Sequence, residues 1–187
     1  MILLARHGET DWNASPVRVQ GWHDQPLNAE GRAQARALAE RVAGEGVVGL
    51  WTSHLSRARQ TAAAVGAALD LEARVDTRLA ESRCGRWEGR LLEEIERDEP
   101  DAWASYRRAG PAFRYPGGES LGEHQLRVRA ALRAVAAGPL PALVVCHGGS
   151  IRCALLDRDP RGLDAYHALR VPNGGLFPLQ GPVAEPR

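Results

Sequence analysis

The chain has 187 residues, of which 44% are hydrophobic, and its formal net charge is +1 at pH 7. A chain of this length can bury one sizeable core, so we expect residues 1–187 to form a single domain. The balanced charge gives no electrostatic basis for binding nucleic acid or a membrane surface, and we expect neither partner. All 24 basic residues are arginine, so an arginine at any one position is weak evidence of an anion site.

The three cysteines are Cys84, Cys146 and Cys153, an odd number without the close pairing that is typical of a zinc site. The first apolar run begins at residue 2, with no charged leader or long apolar segment ahead of it. These features favour a reducing, cytoplasmic setting. Cys146 and Cys153 lie in apolar surroundings, so we expect them to be small core residues.

The chain begins with a pattern of strand, helix and strand. Residues 2–5 form an apolar run that is short enough for a buried strand, and residues 47–51 form another. Between them, Asn28 can cap a helix that Gly44 stops.

The middle of the chain continues this alternation and then departs from it. Ser56 can cap a helix that runs to Leu69, and residues 71–75 are a weaker candidate for a strand. Residues 88–118 contain a charged stretch with scattered apolar residues and several prolines and glycines, which indicates a helix, a loop and a turn. Such an excursion can fold over a binding site as a small cap.

The last part of the chain again alternates helix and strand. Ser120, with Glu123 three residues on, predicts a capped helix that ends near Gly138. Residues 143–146 indicate a buried strand, and residues 176–179 a weaker one. This alternation predicts an α/β fold of three layers, with a mostly parallel central sheet covered by helices on both faces.

A cluster of polar residues follows the first predicted strand directly. Arg6, His7 and Gly8 stand where that strand ends, which is where α/β enzymes bind ligands. The planar guanidinium of Arg6 can hold two oxygens of a phosphate, and a ring nitrogen of His7 can attack phosphorus. The triplet therefore indicates phosphoryl transfer through histidine, although an ordinary hydrogen-bonded histidine remains the alternative.

Three further segments supply the other groups that this chemistry needs. Arg57 lies in a polar segment after the second predicted strand, and His147 follows the apolar run at residues 143–146. Arg57 and His147, together with Arg6, can donate hydrogen bonds to the negatively charged oxygens of a phosphate monoester and of its transition state. Glu81 can give a proton to the leaving oxygen and later take one from water, the alternative being a solvated surface charge.

The chain resembles the histidine phosphatase superfamily, in its phosphoglycerate-mutase-like group, because four of that family's motifs occur in the expected order. The resemblance implies a phosphoglycerate-mutase-like fold with His7 as the phosphorylated nucleophile. It implies that Arg6, Arg57 and His147 bind the phosphoryl group and that Glu81 is the acid. By the same resemblance we expect three further residues to contact the substrate: Asn13, Gly21 and Gly148. For Asn13 the alternative is a structural role in a turn.

We expect the remaining histidines to have structural or exposed positions. His54 stands beside the Arg57 motif, where a local hydrogen bond is favoured over a role in the pocket. His23, Asp24 and His147 lack the paired close spacing of a metal site, so we expect no required metal. We expect His23, His124 and His167 to be structural or exposed.

The function that we expect is hydrolysis of small phosphate monoesters, with a small phosphorylated metabolite as the partner of a monomer or homodimer. A phosphoglycerate mutase-type phosphotransferase, which would use 2,3-bisphosphoglycerate as a primer, is the alternative; a noncatalytic phospholigand-binding module is a second one. The short chain and its compact segment between Glu81 and Pro116 favour the phosphatase. Five arginines near the predicted cap are candidates for binding a second anionic group of the substrate: Arg83, Arg86, Arg107, Arg108 and Arg114.

Overall fold

The computed structural model describes residues 1–179 and residue 181. Five strands form one sheet: β1 (Ile2–Arg6), β2 (Gly49–Thr52), β3 (Arg74–Val75), β4 (Ala142–Cys146) and β5 (Leu176–Leu179). Their spatial order is β3-β2-β4-β1-β5, and only β5 pairs antiparallel to its neighbour. The prediction of a mostly parallel sheet is therefore confirmed.

The α-helices of the described chain are α1 (Ala29–Val42), α2 (Ser56–Leu69), α3 (Leu92–Asp98), α4 (Pro100–Arg108), α5 (Leu121–Ala136) and α6 (Gly148–Leu155). Four of them, α1, α2, α5 and α6, pack on the two faces of this sheet, and α3 and α4 belong to the excursion at residues 88–118. Leu3 of β1 packs with residues of α1 and α2, whereas the adjacent Leu4 packs with residues of α5 and α6. Because successive side chains of a strand point to opposite faces, this division gives the three predicted layers.

The central pair of strands positions the candidate site. β1 and β4 run parallel in a register that pairs Arg6 with Cys146. His7 and His147 therefore leave the sheet side by side at its carboxyl edge, and the backbone N–H of His7 donates to the carbonyl of Cys146 at 3.0 Å. Both strands are buried on their two faces, which explains why their sequences are continuous apolar runs.

The excursion at residues 88–118 has the predicted helix, loop and turn, but its helical part is two helices rather than one. The helices α3 and α4 stand before a loop and turn at residues 109–118, and Pro100 occupies the first position of α4. Proline suits that position because its fixed φ is helical and its missing N–H would have no partner there. Beneath the helices an aromatic cluster surrounds the buried Trp87, whose ring centroid lies 5.7 Å from those of Tyr106 and Tyr115.

The predicted helix caps are right at two positions and wrong at one. The side chain of Asn28 caps α1, and Ser120 and Glu123 form the reciprocal capping box of α5. Ser56 does not cap α2, because it is the first residue of that helix and Leu55 stands at the cap position. The backbone N–H and the hydroxyl of Ser56 instead donate to the carboxylate of Asp24, both at 2.7 Å.

Two strand predictions need correction in extent. The run at residues 71–75 contributes only the edge strand Arg74–Val75, and the run at 47–51 becomes the strand Gly49–Thr52. Backbone pairing decides both limits, since β2 pairs through Thr52 with Val145 and Val75. Among the residues that the structure describes, no helix is long and apolar enough to cross a membrane.

Replacing Ser120 by alanine should lower the free energy of unfolding by about 1 kcal/mol, because the N–H of Glu123 loses its capping acceptor. Chemical denaturation measures this change. Ser105→Ala, inside α4, is the matched control and should stay within about 0.5 kcal/mol of the parent chain. Equal effects of the two substitutions would contradict the capping role.

Candidate active site

A cavity of about 290 Å³ opens at the carboxyl edge of the sheet. Arg6 and His7 line it from the end of β1, Arg57 from the first turn of α2, and Gly148 and Gly149 from the start of α6. Aromatic residues of the excursion, together with the residue just before it, also line the cavity: Trp87, Trp103, Tyr106 and Tyr115. The segments that carry the predicted site residues are thus brought to one place.

The imidazole of His7 is held in one orientation on the cavity floor. Its Nδ1 donates to the carbonyl oxygen of Gly8 at 2.7 Å, so Nε2 is left as the ring's acceptor. Only 2% of the residue is exposed, and this burial lowers the pKa of His7 well below 6.5, with the positive charges of Arg57 and Arg6 adding to the effect. The ring is therefore neutral near pH 7, as a nucleophilic nitrogen must be.

The guanidinium groups of Arg6 and Arg57 are fixed by backbone carbonyls. Arg6 donates to Val171 at 2.7 Å, and Arg57 donates to Gly21 at 2.8 Å and His23 at 3.0 Å. Burial lowers the pKa of Arg6 to about 10 and also lowers the pKa of Arg57, yet both side chains stay charged at neutral pH. Neither forms an ion pair with a carboxylate of the described chain.

His147 lies directly behind His7. The two ring centroids are 5.1 Å apart with the ring planes inclined at 59°, and His147 occupies the N-cap position of α6. His147 is fully buried, and this burial lowers its pKa well below 6.5, with further lowering by Arg57 and His7. Both of its ring nitrogens lack a hydrogen-bond partner within the described chain.

Buried polar atoms without a hydrogen-bond partner occur in two residues that line the cavity, Arg6 and Arg57, and in His147, which packs against His7 but is not part of the lining. In the part of the chain that the structure describes, six buried side-chain nitrogens have no partner: Nε of Arg6, Nε1 of Trp51, Nδ1 of His54, Nε of Arg57, and both ring nitrogens of His147. Four of the six belong to predicted phosphate-binding residues. Each such atom costs about 1–3 kcal/mol while it is unpaired, and the oxygens of a bound anion are acceptors for the arginine donors.

The carboxylate of Glu81 enters the cavity from the segment after β3. Its Oε2 accepts from the N–H of Gly149 at 3.0 Å, at the start of α6, and its Oε1 accepts from its neighbour Ser82 at 2.9 Å. A Cβ at position 149 would lie 2.1 Å from Oε1 of Glu81, so glycine is required for this approach. The alternative of a solvated surface charge does not describe Glu81.

The three residues expected to contact substrate all line the cavity. Asn13 has its Oδ1 engaged by Thr10 at 3.3 Å and Asn173 at 3.1 Å, which corresponds to the turn role named as its alternative. Gly21 supplies the carbonyl that orients Arg57 and has a φ of +50°, where a Cβ would strike Glu88. The Cα of Gly148 lies against the guanidinium of Arg6, since a Cβ there would be 3.5 Å from its Nε.

The cavity also contains cations that the sequence reasoning missed. Arg152 of α6 and Arg18 of the loop after β1 line it, and each donates to a backbone carbonyl, of Leu169 and Gly89 respectively. The signal for Arg152 is its position one helical turn after Gly148. The five arginines proposed near the cap lie outside the cavity lining, and two of them pair with nearby carboxylates: Arg86 with Glu99 and Arg114 with Glu123.

The other histidines occupy structural positions. His124 is fully buried between the hydroxyls of Ser82 and Ser150, and His167 contacts the carbonyl of Tyr106. His54 lies outside the cavity lining and packs edge-on against the Trp22 ring at 5.3 Å, and its buried Nδ1 lacks the local hydrogen bond expected from the sequence. Within the described chain, no group of three or more His, Cys, Asp or Glu residues is arranged to hold a metal ion. The absence of a required metal stays a prediction.

The sheet order, with two buried histidines and two arginines at its carboxyl edge, is that of an α/β protein whose site can hold an anion. The profile of the histidine phosphatase superfamily (branch 1) matches residues 2–181, and the chain belongs to that superfamily. The resemblance inferred from the four motifs is therefore confirmed. As a member, the protein is a phosphatase or mutase-type enzyme.

Named relatives fall on both sides of that division. A probable phosphoglycerate mutase GpmB of Serratia proteamaculans is 38% identical over 91% of this chain and 79% of its own length, and the Yersinia enterocolitica GpmB is 40% identical over 82% and 72%. The solved structure of mycobacterial glucosyl-3-phosphoglycerate phosphatase complexed with VO3 aligns at a TM-score of 0.82 and 33% identity, over 94% of this chain and 88% of its own. Bacillus stearothermophilus YhfR aligns at a TM-score of 0.85 and 29% identity, over the same shares.

The buried histidines predict how stability depends on pH. Burial lowers the pKa of His7, His124 and His147, whereas the unfolded chain takes up protons on them near pH 6.5. Below that pH the unfolded state binds more protons, so the free energy of unfolding should fall by up to about 1.4 kcal/mol per pH unit for each imidazole. Urea unfolding at about pH 7.5 and about pH 5.5 measures the change. A free energy of unfolding that rises on acidification would contradict it.

Proposed function

We propose that the protein is a phosphatase that hydrolyses small phosphate monoesters through a phosphohistidine on His7. The observation that carries this proposal is the set of buried, unpartnered nitrogens of Arg6, Arg57 and His147 beside a neutral His7. A phosphate is an anion whose oxygens can accept from these donors, and the adjacent imidazole nitrogen can attack its phosphorus.

In the first step, Nε2 of His7 attacks phosphorus and the ester P–O bond breaks. The N–P bond forms with the electron pair of Nε2, and the leaving oxygen takes a proton from the acid form of Glu81. Arg6, Arg57 and His147 bind the nonbridging oxygens, whose charge is spread further in the transition state. Because backbone carbonyls already fix both guanidiniums, little reorganisation accompanies the reaction.

In the second step, water attacks phosphorus on the side from which the alcohol left. Glu81, now a carboxylate, takes a proton from that water, the N–P bond breaks, and inorganic phosphate leaves with His7 neutral again. One carboxylate serves both steps because the alcohol oxygen and the water oxygen occupy the same place. The hydrogen bonds that the Glu81 carboxylate accepts from the N–H groups of Gly149 and Ser82 fix it at the cavity, which supports this role.

The rest of the cavity favours a small substrate with a second polar or anionic group. Its volume of about 290 Å³ suits a small metabolite. Arg152 and Arg18 carry charges without a carboxylate partner in the described chain, and they replace the cap arginines as candidates for binding a substrate carboxylate or second phosphate. The Arg152 guanidinium makes a cation–π contact with Tyr166, its Cζ lying 5.2 Å from the centroid of the ring.

Phosphoglycerate mutase-type transfer is the second candidate, and the identity of 38–40% to the GpmB proteins favours it. A mutase would return the phosphoryl group from His7 to an organic acceptor and would need 2,3-bisphosphoglycerate as a primer. Both activities share the first step, so they differ in whether water or the acceptor reaches the phosphohistidine. A noncatalytic binding module is less well supported, because binding alone needs no carboxylate at Glu81.

The purified protein should release inorganic phosphate from members of a panel of phosphorylated metabolites in the absence of 2,3-bisphosphoglycerate. His7→Ala should lower kcat/KM at least about a thousandfold, because no N–P bond can form. Glu40→Ala, which removes an exposed side chain of α1 outside the cavity lining, is the control and should leave kcat/KM unchanged. Isomer formation that depends on the primer would favour the mutase, and phosphate binding without turnover would favour the binding module.

Glu81→Gln should slow the reaction most for substrates with poor leaving groups. We expect a loss of about a hundredfold for alkyl phosphates and less than about tenfold for p-nitrophenyl phosphate, whose phenolate leaves with little proton assistance. Steady-state kcat/KM across a series of leaving groups measures the difference. Losses of one size across the whole series would count against an acid role for Glu81.

A further inference from the structure

The segment that carries Glu81 has little regular secondary structure of its own. It runs between two short 3-10 helices, Thr77–Leu79 and Gly85–Trp87. The carbonyl oxygens of such a segment need hydrogen-bond donors from elsewhere in the molecule. The carbonyls of Arg78, Ala80 and Glu81 all accept from one side chain, Arg127 of α5, at 2.9, 2.6 and 2.7 Å respectively, and that of Ala80 also accepts from the hydroxyl of Ser150 at 2.9 Å.

Arg127 is itself fixed by Glu119. The Nε of Arg127 donates to Oε2 of Glu119 at 3.0 Å, and its Nη2 donates to Oε1 at 2.6 Å. With the three carbonyls, these acceptors use all five N–H groups of the guanidinium. The two side chains are only 18% and 10% exposed. Glu119 also accepts from the N–H of Arg83 at 2.8 Å, so the pair holds the chain on both sides of Glu81.

Trp22 is a second donor to the carbonyl oxygen of Glu81. The indole Nε1 of Trp22 donates to the carbonyl oxygen of Glu81 at 2.6 Å, and the Arg127 guanidinium lies over the Trp22 ring, 6.0 Å from its centroid. The backbone of Glu81 is therefore held by two side chains from distant parts of the sequence. Arg127 does not line the cavity.

We propose that Arg127 is a positioning residue for the acid–base step, because it fixes the backbone from which the Glu81 carboxylate reaches the substrate. This inference rests on the proposed function. Proton transfer needs the carboxylate within hydrogen-bond reach of the leaving oxygen, and a displacement of about 1 Å can cost about a hundredfold in rate. A lysine keeps the charge but cannot reproduce the planar fork that spans three carbonyls and a carboxylate.

The test compares Arg127→Lys with Arg129→Lys, a control on the same helix. Arg129 pairs with Asp157 and has no contact with the segment that carries Glu81. For each variant, kcat/KM is measured with p-nitrophenyl phosphate and with an alkyl phosphate, alone and combined with Glu81→Gln. The inhibition constant of inorganic phosphate and the urea unfolding midpoint are measured on the same preparations.

We expect Arg127→Lys to lower kcat/KM about tenfold or more for the alkyl phosphate and less than about threefold for p-nitrophenyl phosphate, as impaired proton donation requires. Phosphate inhibition should stay unchanged, because the phosphate-binding residues are untouched. In the Glu81→Gln background, Arg127→Lys should cause no further loss, since both changes act on the same proton transfer. Arg129→Lys should show no dependence on the leaving group.

Equal losses for both substrates, additive losses in the double variant, or full activity of Arg127→Lys would overturn the inference. If Glu81→Gln itself shows no dependence on the leaving group, the proposed acid role fails and this inference fails with it. If only Arg127→Lys lacks the dependence, the proposed function stands and the inference alone is wrong. Should Arg127→Lys not fold, Trp22→Phe removes the other donor to the Glu81 carbonyl and must show the same leaving-group dependence.

Discussion

The parallel pairing of β1 with β4 is the constraint on which the rest of the site depends. Its register places Arg6 beside Cys146, so the next residues, His7 and His147, emerge at the same edge with their rings 5.1 Å apart. A shift of one residue would turn every side chain of the strand to the opposite face of the sheet. Because both strands are buried on two faces, their apolar side chains hold this register firmly.

Burial at this edge gives the polar groups properties that they would not have in water. Lost hydration keeps His7 and His147 neutral, and the nearby positive charge of Arg57 acts in the same direction. Arg6 and Arg57 remain charged because their ordinary pKa is so high that lowering leaves them protonated at neutral pH. Neutral rings beside charged arginines form a site that is short of negative charge, which an anionic substrate supplies.

Glu81 depends on a different kind of support. Glu81 lies in neither a strand nor a helix, and its backbone carbonyl is fixed by hydrogen bonds from Arg127 and Trp22. Its carboxylate accepts a hydrogen bond from the N–H of Gly149 at the start of α6. The cations therefore stand at the sheet edge and on the helix beside it, whereas the backbone of Glu81 is held by two side chains far from it in the sequence, Trp22 and Arg127. Under the proposed function, substitutions remote from the cavity would therefore act on the proton transfer and spare phosphate binding.

The sequence by itself determined the alternation of strand and helix, the caps at Asn28 and Ser120, and the motifs that contain the cavity's central residues, because these are local patterns of apolar spacing and side-chain chemistry. Only the tertiary structure decided that Asp24 holds the start of α2, that Arg152 rather than the cap arginines enters the cavity, and that one guanidinium holds the segment of Glu81. Those outcomes arise from pairing between residues far apart in the chain. Such pairing depends on strand order and register, which local sequence does not encode.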